Sequence, residues 1–146
     1  MESAQAGDLV TPVVQYVLDS SAILCFLRDE AGADVIEPLL MDADAHHFLH
    51  AINWVEIRYL EQRGQLPEDN PFRQLIETVG VEISTEISPT YLERVAFLKA
   101  HNPPIALGDC FAVALAQTLG AMLITTDRGE LQKIADKKEC AILFLR

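Results

Sequence analysis

The sequence predicts an α/β domain with a mostly parallel central sheet and helices on both faces. Three observations predict it. Short apolar, β-branched runs alternate with longer stretches of helical periodicity. The run Val13–Leu18 is short and apolar and ends at a polar Asp-Ser-Ser, the pattern of a buried strand meeting a loop. Glycines and prolines then mark where helical stretches stop and start.

Each element follows in order. Val13–Leu18 is the first strand, and Ile23–Leu27 continues it as a helix start. Gly32 opens a second helical stretch through Met41, with Val35, Ile36, Leu39 and Leu40 on one face. His46–Ile52 reads as the second strand. Trp54–Arg63 is helical and stops at Gly64. Pro67 to Pro71 is a loop, and Phe72–Val79 is a helix ending at Gly80. Val81–Ile83 is a short strand. Ser88 and Pro89 supply an N-cap and a first-turn proline for a helix reaching Ala100. Pro103 and Pro104 break it. Leu107–Leu119 is a helix stopped by Gly120, Met122–Thr125 a strand, Gly129–Lys137 a helix and Ala141–Leu145 a last strand.

The 146 residues fit one domain, and a 50% hydrophobic content is enough for a core. Residues 1–12 read as a flexible N-terminal tail without the character of a signal peptide. No apolar run is long enough to span a bilayer, so no membrane role is expected and the cytoplasm is the expected compartment. The three cysteines are odd in number and widely spaced, which points to small core residues rather than a disulfide framework. The net charge of −11 opposes nucleic-acid binding by simple phosphate neutralisation. It suits cations that mediate phosphate contact, or a basic partner protein.

Four carboxylates stand where a parallel sheet presents side chains at one edge. Asp19 and Asp127 each follow a strand. Glu56 and Asp109 are placed in the first turns of helices. Ligands of open α/β sheets bind beyond the carboxyl ends of the strands, where the strand order reverses. Ser21 and Thr125 stand two places from Asp19 and Asp127, so their hydroxyls can orient a carboxylate or a metal-bound water. Clustered carboxylates repel one another without a cation. Oxygen ligands suit Mg²⁺ or Mn²⁺, and such sites favour phosphate chemistry. Each position alone is also an ordinary helix cap or turn residue.

In sequence order, Val17-Leu18-Asp19-Ser20-Ser21-Ala22-Ile23-Leu24, Asn53-Trp54-Val55-Glu56, the stretch from Leu107 through Asp109 to Ala116, and Leu123-Ile124-Thr125-Thr126-Asp127-Arg128 resemble the motifs of PIN-domain nucleases. Within that family they resemble the VapC-like toxins of type II toxin–antitoxin systems. The resemblance covers 13–146, which it implies is a single PIN-like domain. It implies that Asp19, Glu56, Asp109 and Asp127 form a catalytic, metal-binding quartet supported by Ser21 and Thr125. It further implies an endoribonuclease using Mg²⁺ or Mn²⁺, homodimerisation, and inhibition by a basic antitoxin.

Phosphate contacts are weakly marked. Arg28, Arg58, Arg63, Arg128 and Lys133 are candidates, and Arg128 leads because it adjoins Asp127. Trp54 is expected in the core. His46 and His50 have the spacing of a helical zinc pair, although their surroundings read as strand. A metal-free histidine ribonuclease is a competing expectation. A catalytically quiet module acting by protein–protein binding is another, favoured by the acidic surface. An aspartyl-phosphate phosphatase is disfavoured because Ser21 stands where a second Asp is wanted. No glycine-rich turn follows the first strand, against a dinucleotide-binding domain.

Overall fold

A computed structural model describes residues 13–146, and the predicted tail at 1–12 lies outside the described residues. The strands are β1 (Gln15–Leu18), β2 (His46–His50), β3 (Glu82–Ser84), β4 (Met122–Thr125) and β5 (Ile142–Phe144). The helices are α1 (Ser20–Leu27), α2 (Ala33–Leu40), α3 (Ala51–Gln62), α4 (Phe72–Val79), α5 (Pro89–His101), α6 (Leu107–Leu119) and α7 (Arg128–Asp136). The sheet order is β3-β2-β1-β4-β5 and every pairing is parallel. The order reverses at β1, between its neighbours β2 and β4.

Alternation along the strands builds two cores. Val17, Phe48 and Leu123 face one cluster with Val95, Leu98, Val113 and Ile134 from α5, α6 and α7. Leu18, Leu49 and Ile124 face the other, with Ile23, Ile36, Ile57 and Leu75 from α1, α2, α3 and α4. The sheet is therefore covered on both faces. Cys25, Cys110 and Cys140 are free and buried within these cores.

The main departure from the sequence-based elements lies at β2. This strand ends at His50 rather than Ile52. The His50 ring Nδ1 accepts the Ile52 backbone N–H at 3.1 Å and caps α3. Helix α3 therefore begins before Trp54, and Glu56 lies in its second turn rather than its first. The earlier start sets the helix phase so that Asn53 and Ile57 are buried, while Trp54 is 36% exposed against Phe72 rather than in the core.

Candidate metal centre

The strand-order reversal places the ends of β1 and β4 side by side, with Leu18 opposite Ile124. Asp19 follows one strand and Thr125 closes the other. Asp19 is fully buried and caps α1 through the Ala22 N–H, which donates to its Oδ1 at 2.9 Å. The Ser21 hydroxyl donates to the same oxygen at 2.7 Å. The Thr125 hydroxyl donates to Oδ2 at 2.5 Å. Backbone N–H groups occupy the acceptor sides of both hydroxyls: Thr126 donates to Ser21 Oγ at 3.0 Å and Asp127 to Thr125 Oγ1 at 2.9 Å. The hydroxyl protons are thereby directed at Asp19. Its four acceptor positions are filled three times, and one on Oδ2 stays open. Burial pushes the Asp19 carboxyl up to about 6, against the lowering effect of these bonds, and the nearby Asp127 charge adds to the rise.

Asp109 sits in the first turn of α6 and is also buried, yet its Oδ2 has no hydrogen-bond partner. Burial, followed by the carboxylates of Asp127, Asp19 and Glu130, holds its carboxyl well above the ordinary range. Asp109, Asp127 and Glu130 each offer an oxygen within 4.8 Å of the others. An orphaned buried carboxylate oxygen is costly to leave unpaired. Three converging oxygen donors around it fit a hard divalent cation.

Glu130 is the functional candidate that sequence reasoning missed. It lies three places after Asp127 in the first turn of α7, a spacing that sets the two residues on one helix face. Its Oε1 accepts the Ala106 N–H at 2.8 Å. Ala106 is the N-cap of α6 and has no capping side chain, so Glu130 also fixes the start of the helix that carries Asp109.

Glu56 stands apart from this triad. Its carboxylate packs on the Cα of Gly108, the residue before Asp109. Asn53 Nδ2 donates to Glu56 Oε1 at 2.9 Å and to the Gly108 carbonyl at 3.2 Å. Thus Asp19, Asp109 and Asp127 are brought together, Glu130 joins two of them, and Glu56 reaches the same helix start from α3.

No ion pair among the described residues engages these acids. The pairs are Arg28–Glu30, Arg58–Glu61 and Arg146–Glu30. Arg128 lies 4.5 Å from the Phe144 ring centroid and donates to the Arg146 carbonyl and to Gln132 Oε1. Arg63 donates to the Tyr59 hydroxyl. The histidines of β2 serve the fold. His47 Nε2 meets the Leu39 carbonyl at 2.7 Å, and His50 Nε2 meets the Glu86 carbonyl at 2.9 Å. His46 and His50 are four residues apart on a strand, about 13 Å, too far to share a zinc ion.

The PIN domain family model matches residues 16–137. No curated protein matches the sequence. Among solved structures, a toxin–antitoxin complex from Klebsiella pneumoniae superposes with a TM-score of 0.62 at 20% identity, covering 90% of this chain and 98% of that one. VapBC2 from Rickettsia felis, bound to a DNA fragment from its promoter, gives 0.62 at 16% identity over 90% and 98% of the two chains. VapBC-1 from nontypeable Haemophilus influenzae gives 0.57 at 19% identity over the same shares. No described helix is long and apolar enough to cross a membrane.

Proposed function

This chain belongs to the PIN-domain family, and from that premise we propose that it is a metal-dependent endoribonuclease, the toxin of a toxin–antitoxin pair, acting in the cytoplasm. One observation carries the proposal: the convergence of Asp109, Asp127 and Glu130 around the unpartnered, buried Oδ2 of Asp109. These residues would hold Mg²⁺ or Mn²⁺, with Asp19 and Glu56 completing the acidic set. A cation held there would supply Lewis acidity for activating water and for neutralising charge on a phosphate.

The chain's own residues do the rest. Asp109 would offer its unpartnered Oδ2 to the cation. Asp19 is held by Ser21, Ala22 and Thr125, and it keeps a fixed acceptor position open on Oδ2. Thr125 also anchors the Asp127 backbone. Arg128, beside Asp127, makes the phosphate contact. The substrate is RNA and the products carry 5′-phosphate and 3′-hydroxyl ends. The partners are a second copy of the chain and a basic antitoxin, drawn by the charge of −11.

Incubation of the purified protein with RNA tests this. Cleavage is expected in Mg²⁺ or Mn²⁺, lost in EDTA and restored by added metal. Asp109→Asn and Asp19→Asn should lose it by more than ~100-fold while remaining folded, a larger loss than follows removal of an outer partner. Cleavage that survives in both variants refutes the assignment. The acidic charge also favours a second reading, a catalytically quiet module that binds a protein. Calorimetric titration with Mn²⁺ separates the two, because a quiet module shows no site that Asp109→Asn removes.

A further inference from the structure

We propose that Asn53 is the positioning residue that holds Glu56 at the acidic centre, and that Gly108 is a glycine to make room for it. The inference rests on the metal-centre reading above and assigns roles to two residues outside the acidic set.

Asn53 is fully buried on α3, three places before Glu56 and on the same helix face. Both protons of its amide are committed. One goes to Glu56 Oε1 at 2.9 Å and the other to the Gly108 carbonyl at 3.2 Å. Both partners are acceptors there, which fixes which end of the amide faces them. The other end, Oδ1, is buried with no hydrogen-bond partner. A side chain present only to fill space would be better apolar, because an unpaired buried amide oxygen is costly. What the asparagine contributes is the clasp between Glu56 and the start of α6.

Gly108 completes the clasp. Among the described residues the glycines with positive φ are Gly32, Gly64, Gly80 and Gly120, and Gly108 is not one of them. It has no backbone need of glycine, and glycine weakens a helix relative to alanine. Space explains it. A Cβ at position 108 would lie 2.4 Å from Glu56 Oε2 and 2.9 Å from both Cδ and Oε1. The Glu56 carboxylate occupies the volume of the missing side chain, one residue from Asp109.

The two residues can be tested by different routes to one result. Asn53→Ala removes the clasp. Gly108→Ala fills the seat, and only the flexible end of Glu56 need move, so the fold survives. Mn²⁺ binding to the full chain, read by isothermal titration calorimetry, should weaken by ~10-fold or more in each variant. The melting temperature of Gly108→Ala should not fall below that of the wild type. In a Glu56→Gln background the triad of Asp109, Asp127 and Glu130 keeps Mn²⁺ binding measurable, and neither substitution should weaken it further. Losses that persist at full size in that background, or wild-type affinity in both single variants, overturn the proposal. If Asn53→Ala does not fold, Gly108→Ala alone decides. Mn²⁺ binding absent from the wild type, or retained by Asp109→Asn, overturns the metal-centre reading and this inference with it. Wild-type binding that Asp109→Asn removes, with Asn53 and Gly108 indifferent, overturns this inference alone.

Discussion

Asp19 and Asp109 are both buried at the same edge of the sheet, and the chain treats them in opposite ways. Around Asp19, two hydroxyls and a backbone N–H supply three hydrogen bonds. Around Asp109 stand the carboxylates of Asp127, Asp19 and Glu130, and one oxygen is left without a partner. The difference follows from the elements that carry them. Asp19 lies where β1 and β4 meet, so residues of both strand ends close on it. Asp109 faces α7, whose first turn brings acids. One carboxylate is held in place by the protein, and the other has a charge that the protein itself does not compensate. The second is where an external cation has most to contribute.

The largest effect that sharpens this contrast is in pH. Both carboxyls are shifted upward, so the folded state binds more protons than the unfolded chain. Their contribution to metal-free stability is then greatest at low pH and falls as pH rises. For Asp19 the fall runs from about 4 to about 6 and amounts to about 3 kcal/mol. For Asp109 it extends to higher pH. Urea denaturation in EDTA across pH 4 to 9 should show both limbs in the wild type. Asp109→Asn should flatten the upper limb and lessen the slope of the lower one, which Asp19 then carries alone. Saturating Mn²⁺ should raise stability most at high pH, where Asp109 is ionised. An upper limb unchanged in Asp109→Asn would break the contrast.

Most of the fold was legible because its signals are local. The bounds of α4, α6 and β4 follow directly from apolar runs and from Gly80 and Gly120. The supporting roles of Ser21 and Thr125 were also legible, because each stands two residues from its acid. What was hidden depends on distant or unusual contacts. Histidine lies outside the usual capping set, so the His50 cap left no mark and α3 appeared to begin late. That delay misplaced both Glu56 and Trp54. Glu130 read as an ordinary first-turn acid, because its partner Ala106 is 24 residues away. Asn53 stood in a quoted motif without a role, since the role needs Gly108, 55 residues on.

Within the Asp19 region, Thr125 should matter more than Ser21. Thr125→Val keeps shape and burial but removes the donor to Oδ2 and the acceptor for the Asp127 N–H. The cost should be about 2 kcal/mol by urea denaturation, typical of a lost bond to a charged group. The Thr125 bond is the largest influence lowering the Asp19 carboxyl. Its loss should therefore move the lower pH limb upward. Mn²⁺ affinity should also fall, because Asp127 loses its backbone anchor.

Ser21→Ala is the smallest effect and the most discriminating. It removes the 2.7 Å bond to Asp19 Oδ1 and the acceptor of the Thr126 N–H. Unlike Thr125, Ser21 and Thr126 are only half-buried, so water can take up part of what is lost. Oδ1 also keeps the Ala22 N–H. The expected cost is about 1 kcal/mol, with the lower pH limb shifted less than in Thr125→Val. If Ser21→Ala proves as costly as Thr125→Val, burial is not what grades the two hydroxyls. Asp19 would then be held by a single cooperative unit in which losing any donor releases the rest. The double variant decides between these cases, since independent bonds add and a cooperative unit does not.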